Sequence, residues 1–207
     1  LLLSSTRYTY YLMLCLCLPI CLTAHQLLEL WLGIVPEYAD TFLQLIVITS
    51  IFKAFNASFY TALYANGRIR ENAIYSSLIT ILFLPITYVL FKMGYSPVLL
   101  SAVQMLLSAI IGLIVKPIIV IKIVKYTWKD IFDVYLPWIK VTITAIIIPL
   151  VYAYFIQDIL FSDGFVKFLA MAGCCVVCTL VAVWYLGLSG QIRTKLLQVL
   201  KTKILRK

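Results

Sequence analysis

The chain is predicted to be an all-α membrane protein, a bundle of six transmembrane helices. Three observations lead there. Of 207 residues, 64% are hydrophobic and 12% charged, with a mean hydropathy of +1.05, whereas soluble domains hold about 45–50% apolar and about 25% charged residues. Six apolar runs each reach the roughly 20 residues a helix needs to cross hydrocarbon; they are too long and too evenly apolar for barrel strands, which alternate over about 10 residues. Lys and Arg also concentrate in alternate loops.

The first span is expected from Tyr8 to Leu30, after Arg7. An acidic loop with Glu29, Glu37 and Asp40 leads to the second, Thr41 to Tyr64. Arg68, Arg70 and Glu71 precede the third, Asn72 to Phe91, and a short turn near Gly94 leads to the fourth, Pro97 to Ile121. A basic loop carrying Lys116, Lys122, Lys125 and Lys129, with Asp130 and Asp133, precedes the fifth, Tyr135 to Ile156. Asp158, Asp163 and Lys167 border the sixth, Phe165 to Leu188. Residues 1–188 thus form one transmembrane lobe and 189–207 a basic tail. In that tail Ile192, Leu196, Val199, Leu200 and Ile204 recur at helical spacing among Lys and Arg, the pattern of an amphipathic helix on an anionic leaflet.

Thirteen Lys and Arg lie in the N-terminal flank, second loop, fourth loop and tail; only Lys92 and Lys167 border the other side. The positive-inside rule makes the first group, and both ends of the chain, cytoplasmic. The net charge of +9 therefore belongs to membrane orientation and does not point to nucleic acid. Tyr8, Trp31, Tyr95, Trp128, Trp138, Trp184 and others near span ends form the expected interfacial belt. Cys15, Cys17, Cys21, Cys174, Cys175 and Cys178 sit inside apolar runs and read as packing residues. The chain opens on Leu1 within an apolar stretch and lacks the ordered parts of a secretory leader, so a C-terminal portion of a longer protein is expected.

Lys53 is the most informative residue. It lies roughly 18 Å from either end of its span, where a lysine costs about 2.5–3.5 kcal/mol on insertion scales. Ser50, Lys53, Asn56, Tyr60 and Tyr64 follow one another by three or four and share a helix face. That stripe reads as a cavity wall attracting an anion, or as a lysine that snorkels or pairs internally. Lys140, closer to its span end, is a further cavity candidate beside Lys53, Asn56 and Tyr60, with easier escape to the interface. His25, near the outer end of the first span, reads as an interfacial histidine.

Pro19, Pro85, Pro117 and Pro149 permit kinks. Ser101, Gln104, Ser108 and Gly112 form a small, polar face on the fourth span, as Ala170, Cys174, Cys178 and Ala182 form a small-residue face on the sixth; both read as packing faces. No cofactor motif, metal-ligand cluster or nucleophile–base arrangement is present, so no enzymatic activity is expected. All eight carboxylates fall in loops or at borders, and the close pair Asp130 and Asp133 reads as loop solvation.

The stretch from Leu30 to Pro97 carries a resemblance. Leu30-Trp31-Leu32-Gly33 with Val35-Pro36-Glu37-Tyr38-Ala39, then Tyr64-Ala65-Asn66-Gly67-Arg68-Ile69-Arg70, then Leu84-Pro85-Ile86-Thr87-Tyr88 and Gly94-Tyr95-Ser96-Pro97, resemble in order and spacing the Wzx-type O-antigen and polysaccharide flippases. These belong to the multidrug/oligosaccharidyl-lipid/polysaccharide exporter superfamily. The resemblance implies the second lobe of a 12-helix, two-lobed MATE-like transporter whose first six-helix lobe is missing here. It implies a bacterial inner-membrane location and a cargo of oligosaccharide on a polyprenyl diphosphate. It also implies membrane lipids and other polysaccharide assembly proteins as partners. A multidrug exporter of the same superfamily, a membrane glycosyltransferase or polymerase of the same pathway, and a small scaffold or assembly protein without transport are the alternatives.

Overall fold

The computed structural model describes residues 2–65, 67, 69–124, 126–155, 164–188, 193, 194 and 198; the side chains of 2, 3, 55, 58, 60, 62, 124, 153–155 and 164 are outside the description. Among the described residues the chain is helical, with no strand. We number its α-helices α1 Leu2–Leu22, α2 Ala24–Leu32, α3 Ala39–Ala65, α4 Ile69–Ile81, α5 Phe83–Lys92, α6 Val98–Ile110, α7 Lys116–Val124, α8 Trp128–Phe155 and α9 Gly164–Ala182. Wide π-turns at Ile111–Val115 and Val183–Gly187 continue α6 and α9.

Four described stretches are long and apolar enough to cross a membrane: Ile69–Lys92, Val98–Ile123, Trp128–Tyr152 and Phe165–Gly187. The bent pair α1–α2 makes a fifth if it is one span. The chain is therefore a membrane-embedded helical protein. The second expected span falls on α3, a 27-residue helix of roughly 40 Å that is not among these stretches.

The helices depart from the expected spans where the sequence disturbs helical bonding. The first span is not one rod: α1 and α2 meet at 68°. At the join Thr23 bonds Pro19 O twice, through its main-chain nitrogen at 2.9 Å and its hydroxyl at 2.8 Å. A threonine hydroxyl returned to the i−4 carbonyl bends helices. The third span breaks at Leu82, because Pro85 has no N–H for the Ile81 carbonyl and its ring crowds that oxygen. The fourth span runs on past Ile121 to Val124, and the π-turn sits just before Pro117. Pro117 cannot bond Leu113 O, which instead accepts the Tyr135 hydroxyl at 3.4 Å. The fifth span begins seven residues early, at Trp128. Thr127 and Asp130 cap it: the Asp130 carboxylate accepts the Thr127 N–H at 2.9 Å and its hydroxyl at 2.6 Å. Asp130 is thus a helix cap, not the solvated loop residue expected.

The core lies where α1, α3, α7, α8 and α9 converge, around Leu14, Leu18, Phe59, Leu63, Val141 and Cys175. Tyr10 stacks on Trp138 at 4.6 Å between ring centres and bonds Thr142 through its hydroxyl at 2.6 Å, joining α1 to α8. Arg7 donates to Asp133 O at 2.9 Å at the same end of the bundle. At the other end Gln44 donates to Cys21 O at 3.1 Å, and His25 Nδ1 lies 3.9 Å from an Asp40 carboxylate oxygen. The six cysteines are free thiols, with Cys174 and Cys178 sulfurs 3.9 Å apart. The α4–α5 segment is peripheral: 6% of its most apolar stretch is buried within the chain, against 22–28% in the other three.

The expected amphipathic helix at 190–207 lies outside the described residues except for Arg193, Thr194 and Gln198. Arg193 donates to Trp184 O at 2.9 Å and Tyr185 O at 3.2 Å, and its guanidinium lies over both rings. It thereby closes the carbonyl end left open by the second π-turn.

Candidate functional site

The face of α3 that carries Lys53 borders a cavity of about 440 Å³ between α3, α4–α5 and α6–α7. Lys53, Asn56 and Ala57 line it from α3, Ser76 and Thr80 from α4, and Phe83 from α5. Gln104, Leu107, Ser108, Ile111 and Lys116 close the far wall. Seven of these eleven side chains are polar, two are lysines and none is a carboxylate. A second hollow of about 640 Å³ shares Ser76, Thr80 and Phe83, so the polar surface continues across α4.

Of the expected candidates, Lys53 and Asn56 come together here. Lys53 is exposed on this chain and reaches the cavity from the middle of α3, roughly 20 Å from each helix end. Asn56 is buried, one turn on. The Tyr60 side chain lies outside the described residues. Lys140 does not line this cavity; its side chain is exposed on α8, and its main-chain oxygen accepts the Thr144 hydroxyl. Ser50 bonds Ile46 O, and of the described side chains of the stripe Lys53 and Asn56 line the cavity.

Lys116 corrects the sequence reading. Counted with the basic fourth loop although the fourth expected span runs to Ile121, it is 1% exposed and opens α7 deep in the bundle. Its ammonium donates to Asn56 O at 3.1 Å. The π-turn carries the chain into α7 with Lys116 N–H bonded to Ile111 O, five residues back, so the helix runs on through Lys116. A signal for this was present. Ser101, Gln104, Ser108 and Gly112 recur by three or four, and four further is Lys116. Of the face read as packing surface, Gln104 and Ser108 line the cavity, while Gly112 packs closely against Asn56 and Ser101 is buried.

Asn56 knits the two walls together. Its Nδ2 donates to Ser108 O at 3.4 Å. Its Oδ1 fills the notch over Gly112, where a Cβ would come within 2.7 Å. Among the described residues, Asn56 Oδ1 and Ser76 Oγ have no hydrogen-bond partner in the protein, and neither do the side-chain atoms of buried Asn72, one turn before Ser76. Buried polar groups otherwise find partners almost without exception, so this concentration marks a surface suited to water or to a hydroxyl-bearing ligand. Two cations without a carboxylate give it positive potential in surroundings of low dielectric.

Fold and site together define a membrane-embedded helical bundle with a cationic, hydroxyl- and amide-lined cavity at mid-helix depth. Compared with protein-family models, curated proteins and solved structures, the chain matches none.

Proposed function

We propose that this chain is the C-terminal six-helix lobe of a flippase of lipid-linked oligosaccharide. It carries an O-antigen or capsular repeat unit on a polyprenyl diphosphate from the inner to the outer leaflet of a bacterial cytoplasmic membrane. The observation that carries the proposal is the cavity in which Lys53 and Lys116 meet without a carboxylate. A diphosphate needs cations while its head crosses the low-dielectric core. At about 4 Å, one ammonium–phosphate contact is worth about 4 kcal/mol at an effective dielectric near 20, before desolvation is subtracted. The amides of Asn56 and Gln104 and the hydroxyls of Ser76 and Thr80 suit sugar hydroxyls.

In this reading α3 is a sixth crossing, both chain ends are cytoplasmic, and the absent first lobe covers the exposed side of Lys53 and Gln104. Alternating access of the two lobes moves the head, and a cytoplasm-negative potential favours its exit by about 2.3 kcal/mol per charge per 100 mV. The multidrug alternative expects an acidic cavity wall, and none of the eleven lining residues is acidic. The glycosyltransferase alternative would use Asp130, which is engaged as a helix cap.

The test is flipping of a polyprenyl-diphosphate sugar by full-length protein in proteoliposomes, wild type against Lys53→Ala. A loss of roughly tenfold or more is expected, as for removal of one partner of a desolvated ion pair. Unchanged flipping removes Lys53 from the route.

A further inference from the structure

The α4–α5 segment is peripheral, and among the described residues of α4 the chain fully buries Asn72 alone. That one buried side chain is an amide, 0% exposed, and neither its Nδ2 nor its Oδ1 has a hydrogen-bond partner in the protein. Ser76 Oγ, one turn further along the same face, has none either. Two hollows lie along the seam between α4 and α7. One is the cavity, which Ser76 and Thr80 line from α4 and Lys116 from the start of α7. The other, of about 330 Å³, is lined by Glu71 and Tyr75 from α4 and by Ile118 and Lys122 from α7. The two helices run antiparallel across the seam, since rising numbers on α4 meet falling numbers on α7. Asn72 links the hollows. It lies in the chain between Glu71 and Tyr75, and it shares its helix face with Ser76, four residues on.

We propose that Asn72 and Ser76 hold water in this seam, so that hollow and cavity form one wet column from Lys122 to Lys53 and Lys116. An amide and a hydroxyl left dry inside a membrane protein each cost the desolvation of their polar atoms, and hydrocarbon offers nothing to relieve it. Cβ atoms one turn apart on a helix are about 5–6 Å from each other, the span of one water bonded on both sides. Asn72 supplies a donor and an acceptor, and Ser76 a hydroxyl that serves as either. Such a water therefore finds the partners that buried water needs. The column is uncharged at Asn72 and Ser76 and charged at both ends, with Glu71 and Lys122 at one and Lys53 and Lys116 at the other. Water arriving by it hydrates the two ammonium groups that the bundle holds at mid-helix depth. The inference is independent of the cargo proposed above, because any solute of the cavity would find it already wet.

Silver ion, which follows water and is excluded by lipid, tests this in sealed membrane vesicles of both orientations. The full-length protein carries Ser76→Cys with every native cysteine replaced by alanine. Reaction is read by mass spectrometry as thiol protected from a maleimide added after denaturation. Lys122→Cys, exposed on the wall of the hollow, marks in a parallel sample the side on which the column opens. Silver added on that side should reach the Ser76→Cys thiol. Adding Asn72→Leu should slow the reaction roughly tenfold, the rate equivalent of one lost hydrogen bond. Asn72→Ser, which keeps a hydroxyl and serves if the Leu variant does not insert, should react at least as fast as the parent. A Ser76→Cys thiol that silver does not reach from the Lys122 side overturns the column, as does a rate unchanged by Asn72→Leu or lowered by Asn72→Ser. If the marker reacts from the outer surface of the cell, the orientation in the proposed function falls, while the column is still decided by the Ser76→Cys result.

Discussion

Gly112→Ala is the sharpest probe of how α3 meets α6. A Cβ at 112 would lie 2.7 Å from Asn56 Oδ1, 3.3 Å from its Cγ and 3.4 Å from its Nδ2. The amide cannot swing aside freely, because Asn56 is buried and its Nδ2 donates to Ser108 O. Overpacking of this kind costs about 1–3 kcal/mol, offset by at most about 1 kcal/mol from replacing a helical glycine with alanine. With the full offset a net loss of about 0–2 kcal/mol is therefore expected, measured by reversible unfolding of the purified protein in mixed micelles followed by circular dichroism. In an Asn56→Ala background the clash is gone, and the same substitution should be neutral or mildly stabilising. The two sites should thus couple by about 1–3 kcal/mol, within the range for contacting residues. Two results would overturn this: a Gly112→Ala variant clearly more stable than the wild type, or an effect of the substitution that is unchanged when Asn56 is alanine.

Three further outcomes follow from the same geometry. Thr127→Ala removes half of the box that caps α8 and should cost about 1 kcal/mol, seen as a lower unfolding midpoint in micelles with flipping retained. Lys140→Gln leaves the cavity wall untouched and should flip lipid-linked sugar at the wild-type rate; a tenfold loss would bring Lys140 into the route after all. Lys53→Ala, by contrast, removes a mid-span charge whose insertion costs about 2.5–3.5 kcal/mol, so its unfolding midpoint should match or exceed the wild type while flipping falls.

The long apolar runs made the membrane class and the approximate helix positions readable, because lipid tolerates only fully bonded backbones of that length. The breaks were harder. Pro19 and Pro85 advertise kinks, but a 68° bend at Thr23 needs the hydroxyl bond to Pro19 O, which spacing does not announce. Half of the site was legible through Lys53 and Asn56, which stand on one face of a continuous helix. Lys116 was missed because charge counting grouped it with the basic fourth loop although the fourth expected span ran to Ile121; helical spacing from Gly112 agreed with the span, and burial decided between them. Asp130 was misread for a related reason. Thr127-x-x-Asp130 is a capping box in plain sequence, hidden by an assumed start of the fifth span at Tyr135.

In the proposed route two cavity-lining lysines, Lys53 and Lys116, receive an anionic lipid head. Binding of polyprenyl diphosphate and of neutral polyprenol to the full-length protein in nanodiscs, compared side by side, tests it most directly. The wild type should prefer the diphosphate, and Lys53→Met combined with Lys116→Met should abolish that preference by weakening diphosphate binding roughly a hundredfold, the sum of two charged contacts. Equal affinity of the wild type for both lipids, or a double variant that still prefers the diphosphate, would contradict it.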